Sequence, residues 1–277
     1  MTGWRSVPLQ IMGQDGVGGT LRLFLRAGAL GAVVLIGLAI LLILRVLERP
    51  LFGPVRPWTP YLTQGVCRLS LGIIGLSVTV AGTPLQTPGA TVANHVSWLD
   101  VFVLNATERV YFVAKSEVAG WALIGWLARA TGTMFIARKG TEAKVQQQAF
   151  ETRLHAGHRL LFFPEGTSSD GRRVLPFKST LFAAFLHPHL KNSQSVQPVT
   201  LIYHAPQGQE ARFYGWWGDM EFATSFREVL RQARQGRVEV IYHAPLRVGD
   251  HADRKALAAA CEAAVRAAHP QGQVMEA

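Results

Sequence analysis

Cysteine is scarce in this chain, and the signatures of several protein classes are missing. Cys67 and Cys261 are its two cysteines; they predict no disulfide framework, and we interpret them as reduced residues of a core or interface on the cytoplasmic side. Neither a Cys/His cluster with metal-ligand spacing nor a nucleic-acid-binding motif occurs, so we expect no metal, no cofactor and no nucleic-acid partner. The G-x-S-x-G motif is also missing, which argues against a serine nucleophile of the lipase type.

The chain has a long apolar segment near its N-terminus. No charged residue occurs from Ala27 to Leu44, a run long enough to enter or cross a bilayer. Basic residues flank it on both sides, so a full crossing and a hairpin dipping into one leaflet both stay open. The net charge of +10 fits the anionic surface of a membrane. A second apolar stretch, from Leu69 to Gly82, predicts a re-entrant or interfacial helix or, alternatively, an ordinary core helix.

The rest of the chain alternates short β-rich runs with longer helical patterns. Strands are predicted over 90–93, 110–114, 133–136, 159–163, 197–202 and 238–243, and helices over 121–130, 142–156, 179–186, 226–235 and 253–268. Such alternation predicts an α/β fold with a mixed, largely parallel sheet flanked by helices. We therefore expect an N-terminal membrane anchor with interfacial helices in residues 1–85 and a catalytic domain in residues 86–277.

A histidine and an aspartate five positions apart are the first candidates for chemistry. Five residues of α-helix turn through roughly 500°, which would separate the two side chains. A paired His95 must therefore lie in the turn before a helix, with Asp100 in the first turn and Ser97 as the N-cap. An alternative stays open, because Asp100 could serve simply as a capping carboxylate beside an incidental histidine.

A second candidate motif follows the predicted strand at 159–163. The segment Pro164-Glu165-Gly166-Thr167 combines a carboxylate, a hydroxyl and a glycine that lets the backbone approach a ligand closely. By itself, this segment could also be an ordinary turn that leaves a strand.

Four sequence blocks in order resemble the glycerolipid acyltransferase family that includes bacterial 1-acylglycerol-3-phosphate acyltransferase. The blocks cover His95 to Asp100, Gly132 to Arg138, Phe163 to Thr167 and Val196 to Val199. The resemblance implies acyl transfer from an acyl-CoA or acyl carrier protein thioester to the free hydroxyl of a lysolipid. It also implies the site residues: His95 as general base with Asp100 as its partner, and Arg138, Glu165, Gly166 and Thr167 as contacts of the acceptor.

One departure from the family pattern bears on the acceptor. Phosphatidic-acid-forming members commonly have arginine directly after Glu-Gly-Thr, where this chain has Ser168. Together with Trp216 and Trp217, this resembles the branch that acylates lyso-ornithine lipid, in which Arg138 would meet the ornithine carboxylate. We therefore favour lyso-ornithine lipid over lysophosphatidic acid, and we expect the enzyme in the cell inner membrane with its site facing the cytoplasm. A non-catalytic lipid-binding membrane protein is the alternative from another class.

Overall fold

The computed structural model describes residues 16–136 and 143–270. Within these residues, eight strands form one sheet in the order β1-β7-β6-β2-β5-β3-β4, with β8 paired to β6. The strands are β1 (Ser77–Ala81), β2 (Gly89–Ala93), β3 (Tyr111–Lys115), β4 (Met134–Ile136), β5 (Arg159–Phe162), β6 (Ser195–His204), β7 (Arg237–Tyr242) and β8 (Leu246–Arg247). Antiparallel pairs join β6 to β7 and β8, and all other pairs are parallel. This confirms the predicted mixed, largely parallel sheet.

Helices cover both faces of the sheet. One face carries α1 (Val17–Phe52), α2 (Thr59–Ile74), α3 (Asp100–Thr107) and α7 (Phe222–Arg231), and the other carries α5 (Ala143–His155), α8 (Arg254–Ala268) and a 3₁₀-helix (Leu181–Leu186). The short helices α4 (Ile124–Thr131) and α6 (Pro188–Lys191) lie in connections. Side chains of β5 alternate between the two cores, with Leu161 on one side and Leu160 and Phe162 on the other, as the two-residue period of a strand requires.

The second apolar stretch differs from its prediction. It is neither a re-entrant helix nor a single core helix, because α2 ends at Ile74 and β1 begins at Ser77. Gly75 has a φ of 85° and donates its N–H to Leu71 O at 2.8 Å, which is the left-handed glycine cap that ends many helices. The sheet thus takes β1 from within the segment predicted as the membrane anchor; the division at residues 85 and 86 stays a prediction.

Two other predicted helices are shifted or changed in type. The helix predicted at 226–235 begins and ends earlier, as α7, and the segment 179–186 contains the 3₁₀-helix. The buried side chains Val229 and Leu230 hold α7 against the sheet, so tertiary packing rather than local propensity sets where this helix lies.

The first helix, α1, is long and apolar enough to cross a membrane, and 22% of its most apolar segment is buried. It is about 54 Å long, from 36 residues at roughly 1.5 Å each. Its N-terminal end is fixed to the catalytic domain, because Arg22 Nε donates to Arg231 O at 3.0 Å and Arg26 to Gln232 O at 2.6 Å. An exposed apolar helix of this length indicates that the protein associates with membranes.

A buried carboxylate joins α1 to α2. Glu48 accepts hydrogen bonds from the backbone N–H groups of Trp58 at 2.7 Å and Thr59 at 2.9 Å, and it pairs with Arg45 at 3.0 Å. A helix start leaves its first N–H groups without partners. Glu48 satisfies them from the neighbouring helix and thereby fixes the hairpin of α1 and α2.

Candidate active site

His95 and Asp100 meet in the turn between β2 and α3, as the sequence predicted. His95 Nδ1 lies 2.7 Å from Asp100 Oδ2. The same oxygen accepts the backbone N–H groups of Val96 at 2.8 Å and Ser97 at 3.0 Å. The carboxylate therefore holds both the imidazole ring and the backbone of the turn that carries it.

The prediction that Ser97 caps the helix is wrong. Helix α3 begins at Asp100, its N-cap position is Leu99, and no side chain caps it there. Ser97 Oγ instead accepts the N–H of Leu99 at 3.3 Å. Asp100 reaches back to the preceding N–H groups, as the acidic residue of a capping box does, so a cap from Ser97 is unnecessary.

Tyr203, on β6, completes the surroundings of Asp100, and the sequence did not identify it. Its Oη donates to Asp100 Oδ1 at 2.7 Å in a fully buried contact. Burial, reinforced by the charge of Asp100, raises the pKa of Tyr203 well above its usual range, so the phenol keeps its proton and donates. Nearby, Asn94 ties the end of β2 to Leu201 by two hydrogen bonds, at 2.7 and 3.0 Å.

The imidazole ring of His95 packs against an aromatic ring on one face and is partly accessible to solvent elsewhere. It stacks on the ring of Phe163, with centroids 4.0 Å apart and planes 10° from parallel. Its side chain is 19% exposed, whereas Asp100 is inaccessible. A small molecule can therefore reach the ring without disturbing its partner.

Glu165 lies next to the turn that carries His95 and bonds to its backbone. Its Oε2 accepts the backbone N–H of His95 at 3.4 Å, and its Oε1 accepts that of Leu175 at 3.2 Å. Burial raises the pKa of Glu165 to about 8, two backbone hydrogen bonds oppose the shift, and the charge of Asp100 adds to it. Glu165 was predicted to contact the acceptor; in this structure its carboxyl oxygens bond to the backbone of the site instead.

Gly166 and Thr167 occupy the rim of the site, beside two lysines. Gly166 has a φ of 72°, and Thr167 is exposed. Lys115, at the end of β3, donates to Gly166 O. A side-chain carbon added at Gly166 would lie 2.8 Å from Lys178 Nζ. These two cations were not assigned from sequence; a lysine at the carboxyl end of a predicted strand is the signal that could have indicated Lys115.

Two loops fix the backbone of the histidine turn. Ser169 donates its N–H to His95 O at 2.8 Å and its hydroxyl to the same oxygen at 3.1 Å. The N–H of Trp216 donates to Val96 O at 2.9 Å. The segment after Glu165 and the tryptophan segment thus act on the site through the backbone.

Arg138 lies outside the described residues. The strand before it, β4, ends at Ile136 and runs parallel to β3. Of the predicted site residues, His95, Asp100, Glu165, Gly166 and Thr167 come together at the carboxyl edge of the parallel strands, where open α/β sheets place their sites. Among the described residues, no group of His, Cys, Asp and Glu is arranged to hold a metal ion.

Comparisons with known proteins place the chain in a family. The family model described as Acyltransferase matches residues 77–202. A lyso-ornithine lipid O-acyltransferase from Rhodobacter capsulatus is 58% identical, covering 88% of this chain and 89% of that protein. One from Pseudomonas aeruginosa is 33% identical, covering 90% and 93%. The crystal structure of a 1-acyl-sn-glycerophosphate acyltransferase from Thermotoga maritima has the same fold, with a TM-score of 0.65 at 19% identity over 92% and 95% of the two chains. The chain therefore belongs to the acyltransferase family and is an enzyme.

Proposed function

We propose that this enzyme transfers an acyl group from an acyl thioester to the free hydroxyl of lyso-ornithine lipid. Three relatives that match 88%, 76% and 90% of this chain carry the name lyso-ornithine lipid O-acyltransferase. The relatives named 1-acyl-sn-glycerol-3-phosphate acyltransferase from two Neisseria species match 42% of it. Ser168, in place of the arginine common in phosphatidic-acid-forming members, supports the same choice because it removes a cation beside the headgroup.

The hydrogen bond between His95 and Asp100 carries the mechanism. Asp100 Oδ2 already accepts two backbone N–H groups and a carboxylate donates nothing, so Nδ1 of His95 holds the hydrogen that points at it. The other ring nitrogen, Nε2, then has a free lone pair and acts as the general base.

The reaction that we propose needs no acyl-enzyme. Nε2 of His95 removes the proton of the acceptor hydroxyl while its oxygen attacks the thioester carbonyl carbon. The carbon–oxygen bond forms, the carbon–sulfur bond breaks as the tetrahedral intermediate collapses, and the imidazolium returns the proton to the leaving thiolate. Asp100 stabilises the imidazolium between these steps, and the hydroxyl of Tyr203 holds the far oxygen of Asp100 in place.

We assign the acceptor headgroup to the rim beside Gly166 and Thr167. Thr167 is exposed there, and Lys115 and Lys178 supply positive charge near the carboxylate of the ornithine headgroup. Arg138 is proposed to meet the ornithine carboxylate. Glu165 supports these contacts by holding the backbone on both sides of the site.

We also propose that the active site faces the cytoplasm from the inner membrane, with acyl-CoA or acyl carrier protein as the donor. Both cysteines are buried free thiols, which suits a reducing compartment. The net charge of +10 favours contact with an anionic leaflet.

A lysolipid panel tests the proposal. Purified protein, His95→Ala and the control His204→Ala receive a long-chain acyl-CoA or acyl carrier protein thioester with lyso-ornithine lipid or lysophosphatidic acid. His204 pairs with Glu239 at 2.8 Å and lies outside the dyad, so its variant should keep activity. We expect His95→Ala to lose on the order of 10²- to 10⁴-fold in rate.

Each other outcome contradicts a separate part of the proposal. Equal product from the wild type and His95→Ala would exclude the general base. Preference for lysophosphatidic acid would move the acceptor to the phosphatidic-acid branch, and free fatty acid without acylated lipid would indicate a hydrolase.

A further inference from the structure

An uncharged, exposed segment follows β3 on the active-site edge. No charged residue occurs from 118 to 128, and within it Trp121, Leu123 and Trp126 are 46%, 57% and 52% exposed. Single exposed apolar side chains are normal on soluble proteins. Three large ones within six residues are a concentration of exposed apolar side chains of the kind that marks an interaction site. Residues 121–126 are called the docking loop below.

The backbone of the docking loop is strained in a way that holds one apolar side chain outward. Leu123 has a φ of 59° and a ψ of −52°, and Ile124 N donates to Ala122 O at 2.6 Å, which is the geometry of a γ-turn. Among the described residues, Leu123 is the one non-glycine residue with a positive φ. The Leu123 side chain is exposed and does not pack in the core, so core packing does not offset the energetic cost of this backbone conformation. Strain of this kind concentrates where function requires it.

The docking loop is connected to the catalytic turn. Trp121 packs edge-on against Trp216, with ring centroids 6.4 Å apart, and Trp216 N donates to Val96 O. The strand before the loop ends at Lys115, which bonds Gly166 O. These contacts connect the docking loop to the turn that carries His95.

We propose that the docking loop inserts into the lipid surface of the membrane and holds the active-site edge against it. The membrane is favoured because the docking loop leads into α4, which packs against α1, the helix long and apolar enough to cross a bilayer. Helix α4 packs against α1 and α2, and Arg56 Nη1 donates to Ala130 O at 3.1 Å, so α4 is attached to the hairpin of α1 and α2. Exposed apolar side chains therefore occur both on α1 and on the docking loop, whose last residues begin the helix that packs against α1.

The composition of the patch also matches a bilayer interface. Tryptophan is enriched at the level of the lipid headgroups, where its ring is partly apolar and its N–H is hydrated. Arg129, in the last turn of α4, is exposed and donates to Ala119 O at 2.6 Å, which places a cation beside the loop where anionic headgroups would lie. A lysolipid acceptor that lies in the membrane would then reach the histidine turn without leaving the interface.

Site-specific fluorescence on the full-length protein tests the insertion. Leu123→Cys is labelled with an environment-sensitive dye, and Ala259→Cys, exposed on α8 at the opposite face of the sheet, is the matched control. Cys67 and Cys261 are buried, so they compete little for the label. On anionic phospholipid vesicles that carry nitroxide-labelled lipid, we expect blue-shifted and quenched emission at position 123 and unchanged emission at position 259. Equal behaviour of the two positions would overturn the proposal.

Binding of the docking loop to a second copy of the chain is the alternative to membrane insertion. An emission change at position 123 that depends on protein concentration and occurs without vesicles would show self-association and overturn the proposal. These fluorescence measurements need no turnover, so they stay informative if the proposed acceptor is wrong.

Leu123→Gly separates docking from folding. Glycine adopts a positive φ without strain, so the variant should unfold at the same or a higher urea concentration than the wild type. We expect its kcat/KM to fall roughly 3- to 10-fold for a long-chain acceptor in vesicles, since part of the burial of one leucine is lost. It should be unchanged for a short-chain acceptor dissolved as monomers. An equal loss for both acceptors, or no loss for either, would contradict the docking role.

Discussion

The hydrogen bond from Tyr203 to Asp100 gives the sharpest test of how the fold supports the site. Tyr203→Phe removes one hydroxyl and keeps the ring in the core. The bond is 2.7 Å long, buried and directed at a carboxylate, and a bond to a charged group contributes about 1.5–3 kcal/mol net. If about half of that appears in the transition state, kcat falls roughly 3- to 12-fold, because about 1.4 kcal/mol corresponds to a factor of ten. KM should stay near the wild-type value, since the buried phenol does not reach the site.

Tyr214→Phe is the matched control for this test. Tyr214 is also a buried tyrosine, it packs against Tyr203 with ring centroids 5.4 Å apart, and its hydroxyl bonds Gln235 and the N–H of Gly236 at 2.8 Å each. Its loss should cost about 1–3 kcal/mol of stability, from two neutral hydrogen bonds, and leave kcat unchanged.

Steady-state kinetics and urea unfolding of both variants decide the matter. The reasoning requires that both variants lose stability and that Tyr203→Phe alone loses kcat. It is refuted if Tyr203→Phe keeps the wild-type kcat or if Tyr214→Phe loses as much.

Three further predictions concern parts of the chain that hold the site in place. Burial raises the pKa of Glu165 to about 8 from an ordinary value of 4.5. Protonated Glu165 therefore stabilises the folded protein fully below pH 4.5, and this stabilisation is lost as the pH rises through about 8. Glu165→Gln should reduce this pH-dependent decrease in the free energy of unfolding, measured with urea. Gly171→Ala should cost about 1–3 kcal/mol and lower activity, since Gly171 has a φ of 73° and an added carbon would lie 2.7 Å from the side chain of Val96. Arg26→Ala removes bonds to two carbonyls of the α7 end and should cost about 1–3 kcal/mol while kcat in detergent stays near the wild-type value.

Each of these three variants has either a control elsewhere in the fold or an outcome that would contradict its assignment. A pH slope kept by Glu165→Gln would contradict its assigned titration. Gly208→Ala also meets a positive φ, at 81°, but nothing lies near the added carbon, so it should lose stability without loss of activity. Arg254→Ala, on an exposed part of α8, should match the wild type in the unfolding assay.

Local pattern fixed the elements of the catalytic domain, because the sequence carries their periodicity directly. Strands β3, β5 and β7 lie within a residue or two of their predicted ranges. The alternation of strands and helices indicated a largely parallel sheet, which brings the ends of β2 and β5 to one edge. The five-residue spacing of His95 and Asp100 likewise excluded one continuous helix and required the turn that the structure contains.

Contacts between segments that are far apart in the chain could not be predicted from the sequence. Tyr203 bonds Asp100 across 103 positions, and its place follows from the register of β6 beside β2, in which Ala93 pairs with Val199. No local pattern encodes a register between strands so far apart, so a tyrosine in an apolar strand gave no sign of its role.

The sequence by itself therefore determined the α/β class, the apolar helix and the residue types available for acyl transfer. The tertiary structure decided which groups surround them: that Asp100 rather than Ser97 satisfies the turn, that Glu165 is directed at the backbone, and that Leu123 is held outward. These depend on burial and on hydrogen bonds closed between segments, which form only when the sheet brings those segments together.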